Sequence, residues 1–308
     1  MKTTVTRKNS HLNELNARWN VVFLILLTIV MFTVILPVVL IFIISFTSEA
    51  SIAKVGYSFF PLEWTLDGYR YLLRMGDQLW RSYFITIFSS VVGTILSVFV
   101  MAMYAYVIAV RDFPYRRFLT WFLFITLLFS GGLVPSYILN VRYLHINNTV
   151  WILLLPEIMQ ASKVIILRTF IKTTIPDALY DSAKIDGAGH FTIFLRIVIP
   201  LSKAGIATIA LFVFIDRWND WFTAMLYNED KNLIPIQTLL TNLQNSVDYL
   251  KKNSKIMSTM DGIEMLKRLP SSSLRMACTI AATLPMMAAY PFFQRYFVQG
   301  LTVGSIKE

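Results

Sequence analysis

Asp181 to Pro200 reads DSAKIDGAGHFTIFLRIVIP, a polar, glycine-bearing stretch set between two strongly hydrophobic segments. The residues around it dictate a helix, a turn and a second helix. Pro176 has a preset φ and no backbone donor to lose, and Asp177 adds a carboxylate where a helix dipole favours one, so a short helix over Asp177 to about Ile185 is expected. Gly187 ends it by taking a positive φ. In the helix that follows, Phe191, Phe194, Ile197 and Val198 recur at three-to-four spacing and make one face apolar, and Pro200 ends or bends that helix. Small residues (Ser182, Ala183, Gly187, Ala188, Gly189) gather at the tip, where a groove on another protein can approach closely. An ordinary loop carrying an interfacial amphipathic helix is the plainer reading of the same pattern.

The flanking segments place this module in a membrane protein. The chain has 308 residues, is 56% hydrophobic and only 15% charged, and has a mean hydropathy of +0.59. That is too much apolar surface for a soluble domain of ordinary composition. No charge interrupts Arg18 to Glu49, Arg81 to Arg111, Arg117 to Arg142 or Arg275 to Arg295. Each run is long enough, at about 1.5 Å per residue, to cross roughly 30 Å of hydrocarbon. Two further spans carry charge: one holds Glu157 and Lys163, the other ends in Asp216, Arg217 and Asp220. The expected architecture is all-α, with six transmembrane helices at about 20–46, 82–110, 118–140, 149–171, 203–226 and 274–298. Residues 1–17 form a tail, 18–300 a single integral domain, and 301–308 a second tail. Between helices lie the loop at about 172–202 and a long connection at about 227–273.

Basic residues set the orientation. The net charge of +10 is concentrated in the N-terminal tail (Lys2, Arg7, Lys8, Arg18), in Arg111, Arg116 and Arg117, and in Arg168, Lys172, Lys184, Arg196 and Lys203. These three regions belong on the cytoplasmic side, which excludes a nucleic-acid reading of the charge and puts both termini inside. Helix parity then puts 227–273 outside despite its lysines, since long loops follow the charge bias weakly. The first apolar run is too long for a signal-peptide core and lacks a small-x-small cleavage site, so it reads as a retained helix. The single cysteine, Cys278, has no partner for an intrachain disulfide.

Two motifs resemble a known family. Asp181-Ser182-Ala183, Gly187, Ile197 and Pro200 fall at the spacings of the E-A-A motif, E-A-A, three residues, G, nine residues, I-x-L-P, of ABC-importer permeases; Asp replaces Glu, Ser replaces Ala, and Ile199 replaces Leu. The run from Pro291 to Lys307 resembles the ending P-x-x-Q-[RK]-[YF]-[FI]-x-x-G-[LIM]-[TM]-x-G-[AS]-[VI]-K of maltose-type sugar permeases, in the branch near polygalacturonate and lipoprotein-linked permeases. The resemblance implies the type I ABC-importer permease fold and a multi-pass place in the bacterial inner membrane. It also implies the second permease of a pair, which forms the path for an oligosaccharide together with a homologous permease. Two copies of a cytoplasmic ATPase and an extracytoplasmic solute-binding protein complete such an importer, with Asn242 to Asp261 near the latter. This chain has no G-x-x-x-x-G-K-[ST] run, so it is not expected to be an enzyme; ATP and Mg belong on the ATPase subunit.

Within the fifth span, Trp218-Asn219-Asp220-Trp221 resembles the W-N-[DE]-[FW] run of carbohydrate permeases, and Asp216 lies one turn before Asp220. Carboxylates, amides and aromatic faces hold sugars, which makes Asp216, Trp218, Asn219, Asp220 and Trp221 candidates for the substrate path. Interhelical pairing and an aromatic belt explain the same residues equally well. For Glu157 and Lys163, an ion pair or structural contact is the expected role. The histidines His11, His145 and His190 lie in separate segments and suggest neither a metal site nor a catalyst. Two other functions stay open: a permease for a non-sugar nutrient, which would lack the C-terminal run, and an ATP-independent secondary transporter, for which only Asp216 and Asp220 speak.

Overall fold

The computed structural model describes residues 17–252 and 271–304. The expected N-terminal tail up to residue 16, residues 253–270 of the long connection, and 305–308 lie outside the described residues, as do the side chains of 292–304 in the C-terminal motif. The chain divides into two compact units where the sequence suggests one.

The first unit comprises residues up to Tyr69 together with Pro270–Ile280. Its long helix α1 (Ala17–Ser45) contains Pro37, and its side chains from Arg18 to Val39 are exposed, as a lipid-facing helix requires. A short helix, α2 (Glu49–Val55), is capped by Ser48, whose hydroxyl accepts the Ser51 N–H at 3.1 Å. An antiparallel bridge joins Thr47 to Trp64. Glu49 accepts the amides of Ser272 and Ser273 at 2.5 and 2.9 Å, which anchors a carboxylate at the start of the last helix.

The second unit comprises Arg70–Leu269 and Ala281–Glu308. After α3 (Asp67–Arg74), which crosses the boundary, its axis is α4 (Asp77–Ala109). Buried Ser82, Ser89, Ser90, Gly93, Thr94, Ser97, Ala102 and Ala105 make one face of α4 narrow, so that α8 (Ala161–Thr174) and α11 (Lys203–Asn219) pack closely against it. Met101, Ile108, Leu123, Val164, Leu167, Ile171, Ile209 and Val213 fill the space between them. Gly205 is needed for this packing, because a Cβ there would sit 2.6 Å from the Phe170 ring.

Several expected spans are bent or broken. Helix α5 (Arg116–Leu128) gives way at Phe129 to Gly132, where Gly132 has φ +84°, and α6 (Leu133–Tyr143) leaves at 113°. The helix expected over 149–171 is instead α7 (Trp151–Leu154) and α8, separated by an irregular stretch. Pro156 explains the break: it has no N–H to donate to the Ile152 carbonyl, so the helical ladder ends even though Leu155 before it keeps helical φ/ψ. The helix expected over 203–226 stops at Asn219, because Asp220 Oδ1 accepts the N–H groups of Phe222 and Thr223 at 3.0 Å and starts α12 (Phe222–Tyr227). Beyond it lie α13 (Ile236–Lys252) and α14 (Ser271–Gly304). By length and composition alone, two helices among the described residues can cross a membrane, or up to four if each bent pair is one span, against the six expected. The fourth falls short because it is broken and charged, and the sixth runs beyond the fully described side chains.

One side chain closes the break in the fourth segment. Arg217, 5% exposed, donates from Nη1 to the Leu153 carbonyl at 2.7 Å. Its Nη2 donates to the Leu154 carbonyl and to Ser97 Oγ, both at 2.9 Å. These carbonyls end α7 and have no helical donor to follow them. Space for the guanidinium exists only because residue 93 is glycine, where a Cβ would lie 2.6 Å from Nη1. Arg217→Leu is therefore expected to destabilise the chain by roughly 3–5 kcal/mol, and Arg217→Lys to rescue it only partly, since an ammonium lacks the planar fork. Thermal unfolding of the full chain in detergent checks this; a wild-type melting temperature in Arg217→Leu would contradict it.

Candidate functional site: a projecting helical module and a buried charge cluster

The module begins with α9 (Asp177–Ile185), preceded by Pro176 in an extended conformation. Its C-terminus closes through two hydrogen bonds: Ala188 N–H donates to the Ala183 carbonyl at 2.9 Å and Gly187 N–H to the Lys184 carbonyl at 3.0 Å. That pair requires a left-handed residue at Gly187, whose φ is +78°. Then α10 (His190–Leu201), with a π-helical turn over Phe194–Val198, runs to Ser202 and meets α11 at 82°. The bend thus falls at Ser202, with Pro200 in the last turn before it.

The six motif residues divide between core and surface. Ala183 is buried and Ile197 half-buried against the core, beside Tyr180, Ile193, Phe194 and Val198. Asp181, Ser182, Gly187 and Pro200 are exposed, and a Cβ at Gly187 would meet nothing within 4 Å. Ile185 is 86% exposed and Phe191 63%, so the tip shows two large apolar side chains next to its small ones. Phe191 thus leaves the apolar face to which its spacing assigns it.

The connection between α4 and α5 holds the module. Arg111 pairs with Asp177 at 3.1 Å, and Lys184 with Asp112 at 2.6 Å. The hydrogen bond from Lys184, with its charge, holds the Asp112 carboxyl below the usual range, and the same bond raises the Lys184 ammonium. Tyr106 on α4 shares a 3.1 Å hydrogen bond with His190 Nδ1 and packs its ring, tilted, against those of Tyr180 and Phe194. Burial, with help from Tyr106 and Asp177, pushes the Tyr180 phenol up to about 12. His190, exposed on the surface, therefore also joins the module to α4. The three pairs connect residues far apart in sequence, and no local pattern announces them.

The second cluster surrounds the break between α7 and α8. Lys163, 8% exposed, is ion-paired with Asp216 on α11. The expected partner, Glu157, instead lies in the break among the charges of Asp220, Arg217, Asp216 and Lys163. Its carbonyl accepts the Ser97 hydroxyl at 3.4 Å. Three carboxylates thus face two cations. Of the candidate path residues, Trp218 is buried and its Nε1 donates to the Ala282 carbonyl at 2.9 Å. Asp220 caps α12. Asp216, Asn219 and Trp221 are exposed, although Asn219 exchanges hydrogen bonds with the Ile215 carbonyl and the Gln237 amide. The described residues contain no group of His, Cys, Asp and Glu able to hold a metal.

This arrangement, a projecting helical module on a charged, broken-helix membrane core, agrees with the comparisons to known proteins. Residues 103–303 match the family model described as binding-protein-dependent transport system inner membrane component. Protein LplC of Bacillus subtilis is 37% identical over 89% of this chain and 89% of its own length. The polygalacturonan/rhamnogalacturonan transport system permease protein YtcP of the same organism is 34% identical over 89% and 92%. Among solved structures, a chain of a bacterial ABC transporter involved in the import of the acidic polysaccharide alginate superposes with a TM-score of 0.75 at 27% identity, covering 91% of this chain and 96% of that one. The fold is that of an ABC-importer permease, and the chain belongs to the family of binding-protein-dependent transport system inner membrane components.

Proposed function

We propose that this protein is a permease subunit of an ATP-driven importer of oligosaccharides, and that α9 and the start of α10 dock into a groove of a separate ATPase subunit. The observation that carries the docking assignment is the tip itself. Exposed Asp181, Ser182, Ile185, Gly187 and Phe191 project from a base fixed by Tyr106, Asp112 and Arg111. Such a small-residue tip with two apolar anchors can transmit a displacement through the packed contacts of Tyr180, Ala183, Ile193 and Phe194 at its base. ATP and Mg would be bound by the partner, two copies of which would serve this chain and a homologous permease. A solute-binding protein would deliver the sugar. The basic residues of the module and of Arg111 to Arg117 support a cytoplasmic position for both, and with them cytoplasmic termini.

For substrate, the permease YtcP is named for polygalacturonan and rhamnogalacturonan and the solved importer takes alginate, which supports an oligosaccharide containing acidic sugars. Asp216, Asn219 and Trp221 would contact it, as the exposed members of their cluster. Trp218 and Asp220 would position them, through the bond to Ala282 and the cap of α12.

Three outcomes follow from this assignment. Gly187→Asp should insert into the membrane normally yet abolish uptake and ATPase recruitment, whereas Gly187→Asn, which tolerates positive φ, should cost about 1 kcal/mol or less in stability. Since the space around Gly187 is open within this chain, normal uptake by the Asp variant would refute the docking assignment. Trp221→Ala should raise the KM for oligosaccharide uptake in the reconstituted importer without lowering the melting temperature. Trp218→Ala should instead lower stability by roughly 3–5 kcal/mol, as for other buried aromatics; the reverse pattern in the two variants would exchange their roles.

A further inference from the structure

On the face of the membrane core that carries the projecting module, cations crowd together far beyond what the local carboxylates neutralise. A pocket of about 440 Å³ is lined by Arg111, Arg116, Arg117 and Arg168, with Phe113 and Trp121 among its walls. A second, of about 210 Å³, shares Arg111 and adds Lys172, Asp177 and Tyr180. Asp177 is occupied by Arg111, and Asp112 nearby by Lys184. Arg168 is held in place by one bond, Nε to the Ile108 carbonyl at 3.2 Å, which leaves the end of its guanidinium toward the pocket. The Lys172 ammonium is lowered by burial and then by the charges of Arg168, Arg116 and Arg111, a sign that these cations repel one another.

Above this pocket the surface changes character. Phe118, Trp121, Phe122, Ile125 and Leu128 of α5 are all exposed, from 51% to 73%. At i, i+3, i+4 spacing they form an apolar strip that leads from the arginines along the helix. A planar guanidinium fork matches two oxygens of a phosphate, and Trp marks headgroup depth.

We infer that the Arg111, Arg116, Arg117 and Arg168 pocket binds the phosphodiester headgroup of an anionic phospholipid whose acyl chains lie along the Phe118 to Leu128 strip. The strip decides for a lipid over a free phosphate ion, which would use the arginines alone. The bound headgroup would relieve the repulsion among Arg111, Arg116, Arg117 and Arg168 beside the base of the module. The site does not depend on the identity of the transported sugar.

The test titrates the purified full chain, in detergent, with phosphatidylglycerol, phosphatidylcholine or inorganic phosphate and counts bound lipids by native mass spectrometry. The wild type should retain phosphatidylglycerol well above phosphatidylcholine, and millimolar phosphate should not displace it. Arg116→Gln/Arg117→Gln should weaken phosphatidylglycerol retention by roughly tenfold or more, whereas Lys54→Gln/Lys231→Gln, which removes as much charge from exposed positions elsewhere, should not. Equal retention of the two lipids by the wild type would overturn the inference whether or not the arginine variant folds. Unchanged retention in that variant would overturn it as well. Displacement by phosphate at matching concentration would transfer the site to a free anion and overturn the lipid assignment.

Discussion

Backbone carbonyls freed in a membrane must find donors, and no water inside the hydrocarbon supplies them. The break at Leu155 to Gln160 creates that demand in the middle of the unit, where α4, α8 and α11 meet. Arg217 meets it from α11 with a fork that takes the carbonyls of Leu153 and Leu154 and the hydroxyl of Ser97 together. Three separate requirements converge on this one group: glycine at 93 for space, serine at 97 for an acceptor, and proline at 156 for the break itself. A buried charge is costly unless it is bonded, and both terminal nitrogens are bonded while Nε–H finds no acceptor, so the geometry of the clasp determines where the fourth segment can lie relative to α4.

Around that fixed point the polar residues serve the chain as well as its cargo. Lys163 and Asp216 tie α8 to α11, Asp220 starts α12, and Trp218 bonds to Ala282. What stays exposed beside this network, Asp216, Asn219 and Trp221, is a small polar and aromatic surface next to an irregular helix. Membrane transporters tolerate irregular backbone where it borders a cavity or is covered by protein, and here protein side chains satisfy it. At the opposite end of α4, Tyr106 grips the projecting module through His190, Tyr180 and Phe194. One helix therefore connects the charged cluster to the module, so that a displacement of either is felt along a continuous packed element.

Local chemistry was readable and tertiary pairing was not. Pro176, Asp177 and Gly187 act within a few residues of themselves, and the helix Asp177–Ile185 and the positive φ at Gly187 follow from them directly. Pro156 carried an equally local signal for the break in the fourth span, masked by the apolar run around it. The partner of Lys163 was another matter. Glu157 is nearer in sequence, yet the break turns it away and α11 brings Asp216 instead, a choice that depends on the packing of two helices against α4. Likewise Phe191 has the spacing of a core residue, but the π-helical turn after it shifts the register, and its ring faces outward. Hydropathy counted spans by composition, whereas glycines, prolines and an aspartate cap cut them into shorter pieces.

The most direct measurement is a site-specific cross-link. A photoreactive residue at position 182, at the exposed tip of α9, would be compared in membranes with one at Arg142, in the connection after the third expected span, which helix parity puts on the opposite face. If the module couples transport to ATP, the probe at 182 captures a P-loop ATPase, in a yield that changes when ATP is added, and the probe at 142 does not. Capture of the ATPase from 142, or its absence at 182 in membranes that still transport sugar, would contradict that coupling.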